Sequence, residues 1–350
     1  MRRIKRSLGI LAAAALAVAG LSAGPASAAI QPIAKTKAQW QADISHVQQP
    51  GKGCYHASYP ALQWHAVPCV TARKFPLAPA QPAGSVKHAG PLAVGDGSDY
   101  SAQVSGLISK GTGTFTHVSS GITMKGPVDG TGPNVTNAVS LQLNTQFFSG
   151  SPACAGSGDP SGCQAWQQFV YTFKGCSVSC IFMQYWLIDY DATCPSGWMA
   201  FSSDCYTNSN AVQVANVKAA QLATVKLSGT AATGGNDAVS MSIGSGSATS
   251  VTNSDSEVHL ASFWNTTEWG VFGDGGGSEA IFKANATLQA KTALTASSPG
   301  APTCVSEGFA GETNNLNLTT TPALTHQPSP TIASKQTDGT TGTPSCAAAS

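Results

Sequence analysis

Glu268 is the residue of this sequence whose setting best suits proton-transfer chemistry. It stands beside Trp269, between an apolar run and the glycine-rich turn at 273–277. Bulky apolar neighbours reduce the hydration of a carboxylate, which disfavours its charged form and moves its pKa toward the range useful for proton transfer. The segment therefore predicts a reactive carboxyl group, and the simpler interpretation is a solvated glutamate at a strand end.

The residues around Gln142 follow the alternation of a β-strand. Val139, Leu141 and Leu143 recur with a period of two, and Gln142 stands between them. Alternate residues of a strand point to opposite faces of the sheet. The pattern therefore predicts that Gln142 points away from the core layer.

A groove is suggested by two bulkier stretches, 167–173 and 181–190, which carry β-branched and aromatic residues on both faces. Such strands belong in the middle of a covered sheet or under a groove. Aromatic side chains on an open sheet face bind sugar rings or extended peptides equally well. The candidate substrate-binding residues are Gln184, Trp186, Tyr190 and Trp269.

Other site chemistries find less support in the spacing. The stretch 244–247 lacks the helix that a nucleophile elbow needs, although a Ser/His/Asp triad that uses His117 or His259 stays open. The acidic residues at 189–208 match no EF-hand, and 273–277 lacks the lysine of a phosphate-binding loop. No cysteine pair has C-x-x-C spacing, so we expect neither a metal nor a cofactor.

The first 28 residues predict a secretory signal peptide. A basic start is followed by an apolar stretch at 8–21, too short to span a bilayer, and by the small-residue cleavage site Ala26-Ser27-Ala28. All 10 cysteines follow this leader, which fits an oxidising compartment. We therefore expect a secreted, extracellular protein.

The cysteines predict disulfide bonds between neighbours in the sequence, since each such bond closes a single loop. The sequence leaves other connectivities open. The favoured pairs are Cys54–Cys69, Cys154–Cys163, Cys176–Cys180, Cys194–Cys205 and Cys304–Cys346.

The charge composition excludes several partners. The 350 residues include 18 Lys and Arg against 17 Asp and Glu, and only 10% of residues are charged. Nothing in this balance suggests nucleic acid or an anionic membrane as partner. The chain is expected to act as a monomer.

Short strands bounded by Gly, Asn and Ser dominate the pattern, which predicts an all-β fold: a concanavalin-like antiparallel β-sandwich of the jelly-roll type. We expect it to occupy residues 96–295. A disulfide-stapled module with a Pro-rich linker, read as a propeptide, precedes it at 29–95, and an irregular Ser/Thr/Pro-rich tail follows at 296–350. Local predictions are a short helix at 39–49, a strand at 217–225, a strand at 281–294 and one or two helical turns at 255–263.

The segment around Glu268 shares a short motif with known peptidases. Thr267-Glu268-Trp269-Gly270 resembles the T-E-M-G segment of neprosin-type peptidases and the A-E-W-I segment of the fungal glutamic peptidases, or eqolisins. Both segments carry a catalytic glutamate in those families. Trp269 stands where neprosins have methionine.

Two further segments extend the resemblance. The sequence S-L-Q-L-N at 140–144 is similar to the eqolisin segment I-L-Q-T-G, which carries a catalytic glutamine, and neprosins place a glutamate there. The sequence Y-W-L-I-D-Y at 185–190, followed by Cys194, resembles the neprosin motif Y-W-T-x-D-x-Y. The module at 54–64 is faintly similar to the neprosin propeptide.

The resemblance implies a secreted, acid-acting endopeptidase in which Glu268 and Gln142 form the catalytic pair and activate water, with a protein or peptide as substrate. One alternative is a lectin-like β-sandwich whose groove aromatics stack on polysaccharide. Another is a glycoside hydrolase, which needs two carboxylates. The candidates beside Glu268 are Glu257, Asp274 and Glu279.

Overall fold

The computed structural model describes residues 34, 36–80, 93–95, 99–298, 300–339 and 345–346. The predicted signal peptide and linker residues 81–92 lie outside the described residues. Over the described part the chain is an all-β sandwich of two largely antiparallel sheets, which confirms the predicted fold class. The concanavalin-like, jelly-roll topology stays a prediction.

Twenty-five strands are present in the described part of the chain. In chain order they are β1 (Gly53–Ser58), β2 (His65–Val67), β3 (Val70–Thr71), β4 (Ala93–Val94), β5 (Ser101–Gln103), β6 (Ile108–Thr116), β7 (Met124–Pro127), β8 (Asn134–Thr136), β9 (Ser140–Thr145), β10 (Phe148–Ser149), β11 (Gln164–Cys176), β12 (Val178–Ile188), β13 (Met199–Phe201), β14 (Asp204–Asn208), β15 (Asn210–Gln213), β16 (Val225–Thr230), β17 (Asn236–Ile243), β18 (Ser247–Ser254), β19 (Thr266–Phe272), β20 (Glu279–Phe282), β21 (Thr287–Ala296), β22 (Thr303–Val305), β23 (Thr313–Leu318), β24 (Ala323–Thr325) and β25 (Thr331–Asp338). The helical elements of these ranges are α1 (Lys37–Ile44) and short 3-10 helices at Pro152–Gly156, Ala219–Thr224, Asp255–Glu257 and Leu260–Ser262.

The strands form two sheets. Sheet I has 14 strands in the order β2-β1-β18-β17-β16-β6-β21-β25-β23-β20-β7-β8, with β24 beside β25 and β4 beside β23. Sheet II has 11 strands in the order β13-β14-β12-β11-β9-β19-β5-β22, with β10 beside β11 and β15 joining β12 to β3. The segments around Gln142 and Glu268 are thus neighbouring central strands, β9 and β19.

The main core lies between the sheets. Leu141, Leu143, Phe169 and Trp269 belong to this core, and all four are buried. Sheet I makes room for the indole at Gly113, where a Cβ would lie 2.1 Å from Cδ2 of Trp269. Because side chains alternate along a strand, the residues between these core positions point to the outer face of sheet II. This confirms the predicted orientation of Gln142.

The N-terminal segment is integrated with the sandwich, whereas the sequence predicted a separate tethered module. β1 pairs with β18 and extends sheet I, and β3 pairs with β15 at sheet II. Trp40, Ile44, Tyr55 and Trp64 form a small apolar cluster beside this edge. The strand partners lie far along the chain, so local composition does not reveal them.

The region after residue 296 was expected to be irregular, and this expectation is wrong. Its described part contributes β22 to sheet II and β23, β24 and β25 to sheet I. Burial alternates along β23, where Asn314, Leu316 and Leu318 point inward. The abundance of Ser, Thr and Asn concealed a pattern of period two.

Local predictions had mixed outcomes. The helix expected at 39–49 is present in its first half, as part of α1 (Lys37–Ile44), and the turns expected at 255–263 are two 3-10 helices. The strand expected at 217–225 is wrong, because Ala219–Thr224 forms a 3-10 helix. The region 281–294 holds two strands, β20 and β21, with a turn between them.

All five predicted disulfide bonds are present: Cys54–Cys69, Cys154–Cys163, Cys176–Cys180, Cys194–Cys205 and Cys304–Cys346. They are consistent with an extracellular protein. No helix within the described ranges is long and apolar enough to cross a membrane.

Candidate functional site

A row of polar side chains crosses the outer face of sheet II. Residues directly opposite one another in antiparallel strands point to the same face. In this register the row reads Glu268 on β19, Asn144 on β9, Gln168 on β11, Gln184 on β12 and Asn208 on β14. The first four are fully buried. Glu268 therefore ends a continuous polar row that is closed to solvent from Glu268 to Gln184, while Asn208 at the other end is half-buried.

Gln142 lies on the same face, one row away from Glu268. It is in register with Gly270 of β19, and Glu268 is in register with Asn144. The two predicted catalytic residues are thus diagonal neighbours on adjacent strands. The Gln142 amide nitrogen donates to Ser140 Oγ at 2.9 Å, and its oxygen accepts from Gln168 Nε2 at 3.0 Å.

The Glu268 carboxyl group is held by three donors on one oxygen. Oε2 accepts from Asn144 Nδ2 at 2.8 Å and from the main-chain nitrogens of Phe309 and Ala310 at 3.1 and 3.2 Å. Burial raises the pKa of Glu268 to about 6, and these hydrogen bonds oppose the rise because they favour the ionised form. A carboxyl group with such a pKa can exchange protons near neutral or mildly acid pH.

The second oxygen of Glu268 faces another carboxyl group. Oε1 accepts no hydrogen bond from an amide or alcohol group of the described residues. The side chain of Asp99, itself 1% exposed, hydrogen-bonds to Glu268 and lowers its pKa. Two carboxyl groups can form this bond only when one carries a proton. A Cβ at Gly308 would lie 2.8 Å from Glu268 Oε1 and 3.1 Å from Asp99 Cβ, so glycine lets the main chain pass close to the pair.

Glu312 is a further buried carboxyl group at this site. Its Oε2 accepts from Gln142 Nε2 at 3.2 Å, and its Oε1 accepts from the main-chain nitrogens of Ala78 and Gly277 at 2.9 and 3.1 Å. Burial raises the pKa of Glu312 to about 7, against the effect of these three donors. The structure thus pairs Gln142 with Glu312 and Asn144 with Glu268.

An extended segment covers the polar row. We call residues 73–80 the strap. Gln184 binds it on both sides: Oε1 accepts from Leu77 N at 2.8 Å, and Nε2 donates to Phe75 O at 2.9 Å. Pro79 forms a β-bridge with Ala310, the residue whose nitrogen binds Glu268. The strap is therefore bound through its main chain, in the manner of an added strand.

The strap is anchored at its start by Arg73. The guanidinium group forms a salt bridge with Asp129, and its Nη2 lies 3.9 Å from Oδ2 of Asp274. Burial raises the pKa of Asp274 to about 8, although the Arg73 charge acts in the opposite direction. Asp274, one of the alternative carboxylates, thus binds the strap rather than pairing with Glu268.

The aromatic residues of the groove face are covered. Trp166 and Trp186 are fully buried in a cluster with Tyr206 and Phe309. Trp186 Nε1 donates to Gln184 Oε1 at 3.0 Å and to Gln168 Oε1 at 3.1 Å. Trp186 therefore helps to fix the glutamine row, and its ring is closed to solvent.

Two predicted substrate-binding residues lie elsewhere. Trp269 is packed in the core between the sheets, with Nε1 donating to Thr114 O at 3.0 Å. Tyr190 is also buried in that core, near Gly156. The two other candidate carboxylates do not pair with Glu268 either. Glu257 accepts a hydrogen bond from Asn253, and Glu279 is exposed. Within the described ranges no three metal-binding side chains are grouped.

Comparison of the chain with protein-family models, curated proteins and solved structures gave no match.

Sequence reasoning missed Asn144, Gln168, Asp99 and Glu312. Asn144 could have been found, because it follows Gln142 by two residues and must share its face. Gln168 could have been found in the same way, because side chains alternate between the two faces along its strand as well. Asp99 and Glu312 carried no local signal. Asp99 precedes a short strand, and Glu312 lies in the region that was predicted to be an irregular tail.

Proposed function

We propose that this protein is a secreted, acid-acting endopeptidase in which Glu268 activates water against a peptide bond. The observation that carries the proposal is the strap. An extended stretch of polypeptide lies across the buried Glu268 row, bound through main-chain hydrogen bonds. A groove that binds one extended peptide in this way has the form needed to bind a substrate peptide.

In the proposed reaction, the ionised Glu268 takes a proton from a water molecule as the water attacks the scissile carbonyl. The Gln142 N–H that donates to Glu312 Oε2 at 3.2 Å in this structure turns to donate to the oxyanion that forms. Glu268 then gives the proton to the leaving amine. Asn144 and the main-chain nitrogens of Phe309 and Ala310 hold the carboxyl group in place during both transfers.

The strap has to leave before a substrate can enter. Residues 29–95 therefore act in this proposal as a propeptide, and its strap covers the groove until the propeptide is cleaved. Its removal would uncover Gln184 and Glu312, which the strap contacts through Leu77 and Ala78. The three donors on Oε2 of Glu268 would remain, and they favour its ionised form.

The experiment is a proteolysis assay of the secreted, processed protein on denatured protein, from acid to neutral pH. Glu268→Gln keeps the shape of the side chain but removes the base, so activity should vanish. Gln142→Ala should lower turnover by about 10²–10³-fold, as for other oxyanion donors. Glu279→Gln is the matched control, since Glu279 is an exposed glutamate on a nearby strand.

The same assay separates the alternatives. Binding to polysaccharide without cleavage would favour the lectin, and release of reducing sugar would favour the glycoside hydrolase. The lectin alternative needs exposed aromatic rings that stack on polysaccharide. Trp166 and Trp186 are buried, so this alternative has less support than it had from the sequence. Full acid proteolysis by a folded Glu268→Gln variant would contradict the proposed mechanism.

A further inference from the structure

We infer that Glu312 is a peptide-binding residue of the groove: its carboxylate accepts a main-chain N–H of the bound peptide, so the groove requires an unsubstituted amide at that position and excludes proline there. The inference rests on the proposed function, because it treats the strap as a stand-in for substrate.

The contacts of Glu312 fit this role. One oxygen accepts from Ala78 N of the strap at 2.9 Å, and the other accepts from Gln142 Nε2 at 3.2 Å. Glu312 is fully buried. A single carboxylate thus joins the peptide main chain to the amide that the proposed mechanism uses. When the strap leaves, Oε1 keeps the Gly277 donor and loses the Ala78 donor, whose place a main-chain N–H of the incoming peptide takes.

The other contacts of the strap define where an N–H is needed. Leu77 N donates to Gln184 Oε1 at 2.8 Å, and Ala80 N donates to Phe309 O at 2.8 Å. Together with Ala78, three residues in the 77–80 part of the strap therefore donate their main-chain N–H groups to the groove. The strap carries proline only at positions that do not donate in this way: Pro76 precedes Leu77, and Pro79 stands between Ala78 and Ala80. Proline has no main-chain N–H.

The carbonyl groups of the strap are bound as well. Gly311 N donates to Ala78 O at 2.7 Å, and Gly276 N donates to Pro76 O at 3.1 Å. Ala78 is thus bound at both main-chain groups: its N–H donates to Glu312, and its C=O accepts from Gly311 N. This double contact fixes the register of an extended peptide in the groove.

The first test measures amide hydrogen exchange in the full-length protein and needs no proteolysis. In Glu312→Ala the Ala78 amide should exchange about 10- to 100-fold faster than in wild type, as expected for loss of a hydrogen bond to a charged group. The Leu77 amide, bound by Gln184, should stay protected. Glu312→Gln retains an oxygen acceptor and keeps the test valid if the alanine variant does not fold. It should give a smaller increase.

The matched control is Glu307→Ala, which removes an exposed glutamate from the same segment. It should leave both amides protected. Equal protection of the Ala78 amide in wild type and both Glu312 variants would overturn the inference.

The second test uses the processed protein and a cleavable peptide in which each main-chain nitrogen is methylated in turn. Wild type should lose cleavage at three positions, those that donate to Gln184, to Glu312 and to the main-chain oxygen of Phe309. Glu312→Ala should raise KM and become insensitive to methylation at one of them. An unchanged methylation profile would overturn the inference. If wild type cleaves no peptide at any pH, the proposed function fails, and the exchange experiment still decides whether Glu312 binds main-chain N–H in the groove.

Discussion

Replacing Glu268 with glutamine is expected to make the stability of the full-length protein less sensitive to pH. Burial raises the pKa of Glu268 from its ordinary value of 4.5 to about 6 in the folded protein. Between these values the folded chain holds a proton that the unfolded chain has released. Stability from this group is therefore fully present below the unfolded pKa and is lost as pH rises through the folded pKa.

The size of the effect follows from the two pKa values. A difference of about 1.5 in pKa corresponds to about 2 kcal/mol, since each pKa unit is worth about 1.36 kcal/mol. Wild type should therefore lose about 2 kcal/mol through this group between about pH 4 and about pH 8. Glutamine cannot ionise, so the variant lacks this loss.

Urea unfolding followed by tryptophan fluorescence at both pH values measures the effect. The stability of Glu268→Gln minus that of wild type, measured as the free energy of unfolding, should be about 2 kcal/mol larger at about pH 8 than at about pH 4. Taking this difference removes any cost of the substitution that does not depend on pH. Glu307→Gln, which removes an exposed carboxylate, is the control. A relative stability that stays constant with pH, or that falls at the higher pH, would refute the reasoning.

Three further predictions concern the strap, the core and the disulfides. Arg73→Ala removes the salt bridges at the start of the strap and should increase cleavage within residues 73–80 during limited proteolysis, whereas Ala at the exposed Lys74 should not. Gly113→Ala places a Cβ 2.1 Å from the Trp269 ring and should cost about 1–3 kcal/mol in urea unfolding, while Gly51→Ala, with only a 3.9 Å contact, should cost less. Reduction of the five disulfides should lower the melting temperature, since each typically contributes about 2–4 kcal/mol, and an unchanged melting curve would contradict this.

Local pattern predicted the positions of Gln142 and Glu268 well. The alternation at 139–144 places Gln142 on the outer face, and the apolar neighbours of Glu268 indicate that it loses hydration. Both inferences depend only on residues close in sequence. The disulfides between neighbouring cysteines were predictable for the same reason, because each closes a single loop.

What could not be predicted depends on pairing between distant segments. Glu312 reaches the site because the segment before β23 returns to β9, and composition alone marked that region as irregular. The strap is Pro-rich and reads as a linker, yet its free N–H and C=O groups find partners on Gln184, Glu312 and Gly311. Neither contact leaves a local signature in the sequence.

The covering of the groove and the raised pKa of Glu312 have one physical origin in this proposal. Ala78 N of the strap contacts Glu312, and desolvation by burial is the leading cause of the raised pKa of this group. The same contact therefore occupies the groove and keeps water from a carboxyl group that the groove uses. Removal of the strap would admit water and peptide to Glu312, while the donors to Glu268 Oε2 stay in place. On this reasoning the strap blocks substrate and also favours the protonated form of Glu312, which accepts a peptide N–H less well.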